Sequence, residues 1–597
     1  MDFDLRLVPF SRRGSYFAIS RLEGGVRSVA DGLYLRSVHG GADHAKELFG
    51  IEVLLGGSYS NRFVNTLQSA RASERPQRHS PQSGVHRGGE SLVITESARP
   101  DRLELSVAGG RVDICIAEPT RVLFRGLGAD VVLRWAGGPP GSGVIVPVEA
   151  GRWLCLCGAA NLSLLITRLA GDLAVDAPWT GVGNESISIH ASALGDEAWV
   201  FAVDEVSSSW TGLPPHEGFD DAVAGVAADF GRWLACIPSV EGEFASTAEL
   251  AAYVNWSSEV HELGLIKRPS MLMSKNWMTS IWTWDPCINA MALTGDIPHA
   301  CDQFLTMFDH QDASGALPDA FSDRSETFTY CKPPVHGWAL GWLMKRTALP
   351  IDFLTQVYGP LSRLTNWWFT QRDFDGDGYP QYNHGNDSGC DNSTVFRDFV
   401  PVESPDLLAY LVLQMETLAT IADVLGRSAE GVDWQTRAHT LAEGMIRDFW
   451  RGDRFVARNA ITHEPCAADS LVLSLPLVLG HRLPPDIFNR LADDLTARGF
   501  LTEHGLATES VASPFYEADG YWRGPIWAPT TLLIVDGLAD GGRADLAAQI
   551  ARSFCETVKS SGMAENFDAI SGEGLRDRSY TWTASAFLVL ASSYLGN

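Results

Sequence analysis

The chain has 597 residues and a mass of 64.9 kDa. That is about four times the ~150-residue unit that serves as a soft domain size, so two large domains or several small ones are expected. With 45% hydrophobic and 20% charged residues, the composition is that of a globular protein and excludes the disordered, collagenous and membrane-embedded classes. The balance of 46 basic against 73 acidic side chains leaves a net charge of −27, a field that repels nucleic acid and anionic lipid and favours a neutral or cationic partner.

The first residues, Met1-Asp2-Phe3-Asp4-Leu5-Arg6, have no basic stretch leading into an apolar one, and no run of about 18 apolar residues follows anywhere. A cytoplasmic protein without a membrane anchor is therefore expected. The ten cysteines are scattered singly, as reduced, buried thiols are. The one close pair, Cys155-Leu156-Cys157, has no second ligand pair at zinc spacing, and no metal is expected there.

Residues 1–235 read as short β-rich runs broken by Gly, Pro and Asp, such as 102–107, 112–117, 186–190 and 198–203, the pattern of a β-sandwich. Within them, residues 70–90 are nearly free of apolar side chains and locally basic; a loop is the plain reading and a flap over a neighbouring site the sharper one. From Thr247, a plausible N-cap, the period becomes helical, and residues 236–270 read as a helical linker. Helical segments recur at 337–347, 352–371, 405–426, 431–450, 485–498, 528–538, 542–560 and 580–595. Twelve helices with their loops would use about 29 residues each, so an (α/α)6 barrel over 271–597 fits the length. The fold class expected is multidomain: an N-terminal β-sandwich followed by an all-α (α/α)6 catalytic barrel, a combination associated with sugar-active enzymes.

Four segments of the helical half are too rich in acids, aromatics and glycine to be ordinary connectors. The first runs from Asn276 to Pro286 and carries Trp277, Trp282, Trp284 and Asp285. Trp faces stack on pyranose rings, and a carboxylate can grip two sugar hydroxyls; the plainer alternative is a core stripe with Asp285 capping the next helix. The second starts with Asp373, Asp375 and Asp377, which imitate half a calcium loop. His384 stands where an EF-hand needs Glu, so a non-EF calcium site and an acidic turn are the two readings left. It continues through Asp387 to Asp391 in a Gly/Ser-rich loop, where a carboxyl group can face a cleft and serve as general acid.

The third segment, Tyr521-Trp522-Arg523-Gly524-Pro525-Ile526-Trp527, forms a half-polar aromatic platform, in which burying Arg523 as mere packing would be costly. The fourth, Glu565-Asn566-Phe567-Asp568 with the later Trp582, places a carboxylate after a helix and before a Gly-rich turn. Two carboxyl groups from different loops among Trp and Tyr are what glycosidic cleavage needs.

Together these segments resemble glycoside hydrolase family 63 and its relatives among the trehalases and sugar-glycerate hydrolases, over about 270–597 and only weakly before 235. The pieces that carry it are Trp284-Asp285, Ser388-Gly389-Cys390-Asp391-Asn392-Ser393, the 521–527 platform and Glu565-Asn566-Phe567 with Trp582. The resemblance implies an inverting hydrolase with Asp391 as general acid and Glu565 as general base, its carboxyls roughly 6.5–9.5 Å apart. It places Trp284, Asp285, Trp522, Arg523 and Trp527 around the non-reducing sugar, with Trp282, Tyr521 and Trp582 beside them. Asp387 stands where the family's usual Glu would hold a hydroxyl. The substrate implied is a small carbohydrate, an α-glucoside ahead of an α-mannoside, cleaved without cofactor or metal. A disaccharide phosphorylase and a non-catalytic sugar-binding protein are the competing readings; oligomeric state is not legible.

Overall fold

The computed structural model describes residues 1–595 except 24–29, 43–45, 56–93, 194–196, 208, 211–212 and 214; the 70–90 segment lies outside the described residues. The chain divides into two compact units. One spans Asp2 to Phe230, and the other runs from Gly231 onward and takes in Met1 and a short turn starting at His39.

The first unit is built from two antiparallel sheets. In spatial order, one contains Phe17–Leu22, Gly32–Ser37, Lys46–Leu55, Ala129–Trp135, Ser188–Ser192 and Asp172–Asp176. The other contains Thr95–Arg99, Arg102–Val107, Gly110–Glu118, Arg121–Leu127, Trp199–Val206, Leu162–Ala170, Arg152–Cys157 and Gly143–Glu149. Leu35, Phe49, Val131 and Leu133 of the first sheet share one apolar core with Leu103, Ile114, Phe124, Ile166 and Phe201 of the second. Alternation puts these side chains on the inner faces, and their burial is what holds two sheets together. Cys155 and Cys157 point the same way from one strand, their Sγ atoms 3.9 Å apart, and all ten cysteines are free thiols.

The helices are α1 (Phe219–Leu234), α2 (Ala245–Ser258), α3 (Asp285–Met291), α4 (Ile297–Phe308), α5 (His336–Met344), α6 (Ile351–Gln371), α7 (Pro405–Val424), α8 (Ser428–Phe449), α9 (Pro485–Ala497), α10 (Ala528–Asp540), α11 (Ala544–Ser561) and α12 (Thr581–Ser593). A further tight helical run, Leu471–Arg482, lies between α8 and α9. Six of these segments pack in sequence: α3 on α5, α5 on α7, α7 on Leu471–Arg482, that run on α10, α10 on α12, and α12 back on α3. Apart from α1, the other six alternate with them along the chain, and each packs against members of that series, as α2 does on α12 and α8 on α7. The inner segments are apolar on every side, as α12 and Leu471–Arg482 show by being buried along their length, whereas α4, α9 and α11 are amphipathic.

Residues 236–270 are not merely a connector. α2 starts at Ala245, two residues before Thr247, which is buried inside its first turn and caps nothing. Among the described residues α7 is the one helix long and apolar enough to cross a membrane, and 78% of that stretch is buried inside the protein.

The helix contacts are close enough to be tested. A Cβ on Gly337 of α5 would sit 2.2 Å from the Gln414 Cα of α7. In a free helix Gly→Ala gains about 1 kcal/mol, but overpacking of roughly 1–3 kcal/mol or more opposes it here. Gly337→Ala is therefore expected to lower the midpoint of denaturant unfolding; an unchanged or higher midpoint would contradict the packing described.

Candidate active site

Asp391 lies on the connection between α6 and α7, after the tight turn Gly385–Ser388. Glycine is required twice in this loop: Gly389 has φ 73° with the Trp284 ring 2.6 Å from where a Cβ would be, and a Cβ on Gly385 would strike the Asp391 carbonyl. Asp387 fixes the turn. Its carboxylate accepts from the backbone N–H of Cys331 (3.1 Å), Asn383 (2.9 Å) and His384 (3.2 Å) and from Arg372 (2.8 Å). Three of these donors fall on Oδ2 and one on Oδ1, so the buried Asp387 braces the loop that carries Asp391.

Glu565 follows α11, and its N–H donates to the Asp577 carbonyl at 2.7 Å. Three ties bring the four segments together. Asn392, next to Asp391, donates to the Gly520 carbonyl at 3.0 Å and accepts from the Trp522 N–H at 2.9 Å. Ile526 and Phe567 exchange two backbone hydrogen bonds of 2.7 and 3.0 Å. The buried Asp577 carboxylate accepts from Trp277 N–H at 3.0 Å and Asn276 at 3.3 Å.

The aromatic residues of these segments form one cluster. Trp522 stacks on Trp527 at 3.9 Å, and the Trp582 ring meets Trp527 and Trp284 edge-on at 5.4 and 5.5 Å. Trp522 and Trp527 thus spend a face on each other and build the wall. Tyr521, held at φ 64°, meets Trp527 at 5.0 Å and lies close enough to Asp391 and Glu565 to feel both charges. Trp282 is half-buried on the short strand Ile281–Trp282. Arg523 is a third exposed and pairs through one terminal nitrogen with Glu517 at 3.1 Å, while its Nε is buried without a partner among the described residues. The cation over Tyr521 is Arg576, 4.9 Å from the ring and bonded to Asn566 at 3.2 Å.

Electrostatically, the site is a group of desolvated carboxyls. Asp285 is 2% exposed, begins α3 without capping it, and among the described residues no donor reaches either of its oxygens at hydrogen-bonding geometry. Burial holds its carboxyl well above the usual range, against the opposing pull of Lys332 and the Trp282 amide and with Asp319 adding. Burial likewise raises Asp391, with Lys332 opposing and Asp319 adding. Glu565 is pushed up to about 8 by burial first and Asp577 next, with Asp391 contributing and Arg576 opposing. Burial thus favours the protonated form of both carboxyls, and the charge of Asp391 adds a smaller push at Glu565.

A family model described as the mannosylglycerate hydrolase MGH1-like glycoside hydrolase domain matches residues 278–583, which contain Asp285, Asp391, Glu565 and the aromatic cluster. The chain belongs to glycoside hydrolase family 63. A mannosylglycerate hydrolase from Thermus thermophilus is 28% identical over 130 residues, which span 21% of this chain and 31% of that enzyme. The crystal structure of a family 63 mannosylglycerate hydrolase from the same species, in complex with glucose, superposes with a TM-score of 0.51 at 19% identity, over 57% of this chain and 99% of that one. A bacterial glucoamylase complexed with acarbose shares the fold over 100% of this chain and 95% of its own, with a TM-score of 0.60 at 10% identity.

In this family 63 chain the acidic turn 373–378 is satisfied from within. Asp373 accepts from the Gly376 and Gly378 N–H groups at 2.9 and 3.1 Å. Ligand atoms of Asp375, Asp377, Glu403 and His463 lie within 4.8 Å of one another, but Arg458 bridges Asp377 (2.7 Å) to Glu403, and His463 reaches Asp375 at 3.2 Å. Arg458 thus already supplies positive charge to two of the four acidic or imidazole groups gathered here.

The raised Glu565 makes a stability prediction. Between its ordinary 4.5 and about 8, the folded protein keeps a proton that the unfolded chain releases, so stability falls as pH rises through that window. Glu565→Gln, which cannot ionise, is expected to raise Tm by an increment that grows from pH 5 to pH 9. An increment that is flat with pH, in thermal unfolding at both values, would contradict a buried, proton-holding Glu565.

Proposed function

We propose that this family 63 member is an inverting, exo-acting glycosidase that removes a terminal sugar from a short α-glycoside, an α-glucoside ahead of an α-mannoside, with mannosylglycerate, the substrate named for its relatives, among the compounds to be tried. The single observation that carries the reading is the pair Asp391 and Glu565, brought from different loops to one aromatic wall, each raised chiefly by burial, beside an Asp285 whose two buried oxygens have no hydrogen-bonding donor among the described residues. A buried carboxylate without donors is costly unless a ligand supplies them, and vicinal sugar hydroxyls do so bidentately.

In this mechanism the non-reducing sugar rests against the Trp284 and Tyr521 side of the wall with its hydroxyls on Asp285. The reactive protonation state is the one with the proton on Asp391 and Glu565 ionised against its raised value, and from it Asp391 delivers that proton to the glycosidic oxygen as the bond to the anomeric carbon breaks. Glu565, ionised, takes a proton from a water that attacks the anomeric carbon from the opposite face, and the product has the inverted configuration. Tyr521, whose hydroxyl stays neutral between the two carboxyls, is placed to donate to either. The helical series that carries these loops is read as an (α/α)6 barrel, supported by six inner segments that return to their start and six that alternate with them. The acidic turn at 373–378 takes no part in catalysis, and no metal step is needed.

Anomeric proton NMR during digestion of a panel of α-glucosyl and α-mannosyl compounds tests this directly. Wild type is expected to release the β-anomer first, and Asp391→Asn and Glu565→Gln to lose at least about 10²-fold in kcat, the scale of a removed acid or base. Release of the α-anomer first would make Glu565 a nucleophile, and sugar release only with phosphate would make the protein a phosphorylase.

A further inference from the structure

We propose that Lys332, with its partner Asp319, is a positioning residue for the general acid, fixing the loop of Asp391 and setting which carboxyl of the catalytic pair carries the proton. This rests on the assignment of Asp391 as acid.

The argument starts from a count of hydrogen-bond donors. Lys332 is buried, and an ammonium group has three N–H bonds and no acceptor. Its Nζ is bound to Asp319 Oδ1 at 2.9 Å, to the Asn386 carbonyl at 3.0 Å and to Asn386 Oδ1. Two of the three protons go to Asn386, and the remaining side of the ammonium faces Asp319 as an ion pair, so Lys332 acts through the groups it holds. Two of the three go to Asn386 in the turn Gly385–Ser388, whose Gly385 packs on the Asp391 carbonyl. The residue before it, Cys331, donates its N–H to Asp387 of the same turn. Residues 331–332 thus clasp the acid loop from both sides, with a donated amide on one and an ammonium on the other.

The same placement makes Lys332 the buried cation among the acids of the cleft. Asp391 faces Lys332 and Asp319, His384 of its own loop with Tyr330 stacked on it at 4.9 Å, the neutral Cys390 thiol, Tyr521, and Glu565 across the cleft. Lys332 draws Asp391 and Asp285 down, while Asp319 pushes both up. A cation beside one of two carboxyls that feel each other's charge favours its ionised form and so moves a proton toward the other. Neutralising Lys332 moves the proton toward Asp391 and the whole titration upward; neutralising Asp319 does the opposite.

The test is the pH profile of kcat/KM, on whichever α-glycoside the wild type cleaves, for Lys332→Met, Lys332→Arg and Asp319→Asn, with thermal unfolding of each. The bell is expected to move to higher pH by about one unit in Lys332→Met, on the scale of a close charge, to lower pH in Asp319→Asn, and to stay in place in Lys332→Arg even where kcat falls. A profile unmoved in both charge-removing variants, with only the rate or Tm lowered, would reduce Lys332 to a structural tie and overturn the proposal. A rise in KM alone would make it a substrate ligand and overturn it equally. If Asp391→Asn keeps the wild-type profile, the acid assignment fails first and takes this proposal with it; inactivity of wild type on every α-glycoside would instead strike the functional reading.

Discussion

What the second unit has to solve is the burial of like charges. Asp285, Asp319, Asp391, Glu565 and Asp577 are withdrawn from water around one cleft, and carboxylates without partners are among the costliest groups to bury. The chain meets this in three ways. Asp577 and Asp387 accept several N–H groups each, Asp319 is paired with Lys332, and burial favours the protonated forms of Asp391 and Glu565. Asp285 has no such donor among the described residues, and its two bare oxygens mark where a ligand must complete the structure. Stability is thus surrendered where chemistry is expected, the usual relation between strained or unsatisfied groups and function.

The architecture supplies the cleft by placing loops, not helices, around it. Asp285 begins α3, Asp391 precedes α7, the Trp522 to Trp527 platform runs into α10, and Tyr580 and Trp582 begin α12. Functional side chains therefore sit at the N-terminal ends of inner helices. Helix positions set their spacing, and the cross-ties Asn392 to Gly520 and Trp522, and Ile526 to Phe567, set their mutual register. Precision comes from these few loop-to-loop hydrogen bonds laid over a rigid apolar frame.

Much of this was legible in the sequence. The helices at Ile351–Gln371, Pro405–Val424 and Pro485–Ala497 were visible because their ends carry Pro, Asp or Gly and their apolar residues follow a helical period or a long unbroken run. Leu471–Arg482 escaped because Leu-Val-Leu-Ser-Leu-Pro-Leu-Val-Leu is apolar on every face and contains Pro476, leaving no period to read. At the site, Asp391, Glu565 and the Trp platform stand out by composition. Lys332 and Asp319 do not, since they lie in unremarkable stretches and meet only through the fold, and their role exists in three dimensions alone. The partners of Asp387 and Arg523 were equally hidden: residue type shows that a group is polar, but only the fold shows what holds it.

The central claim is that a sugar's hydroxyls complete the partnership that the protein leaves open at Asp285. The most direct measurement is a crystal structure of Glu565→Gln with an intact α-glycoside bound. The account predicts the non-reducing sugar with two hydroxyls on Asp285 and its glycosidic oxygen within hydrogen-bonding distance of Asp391. A sugar bound elsewhere, with Asp285 still bare and Asp391 remote from the scissile bond, would contradict it.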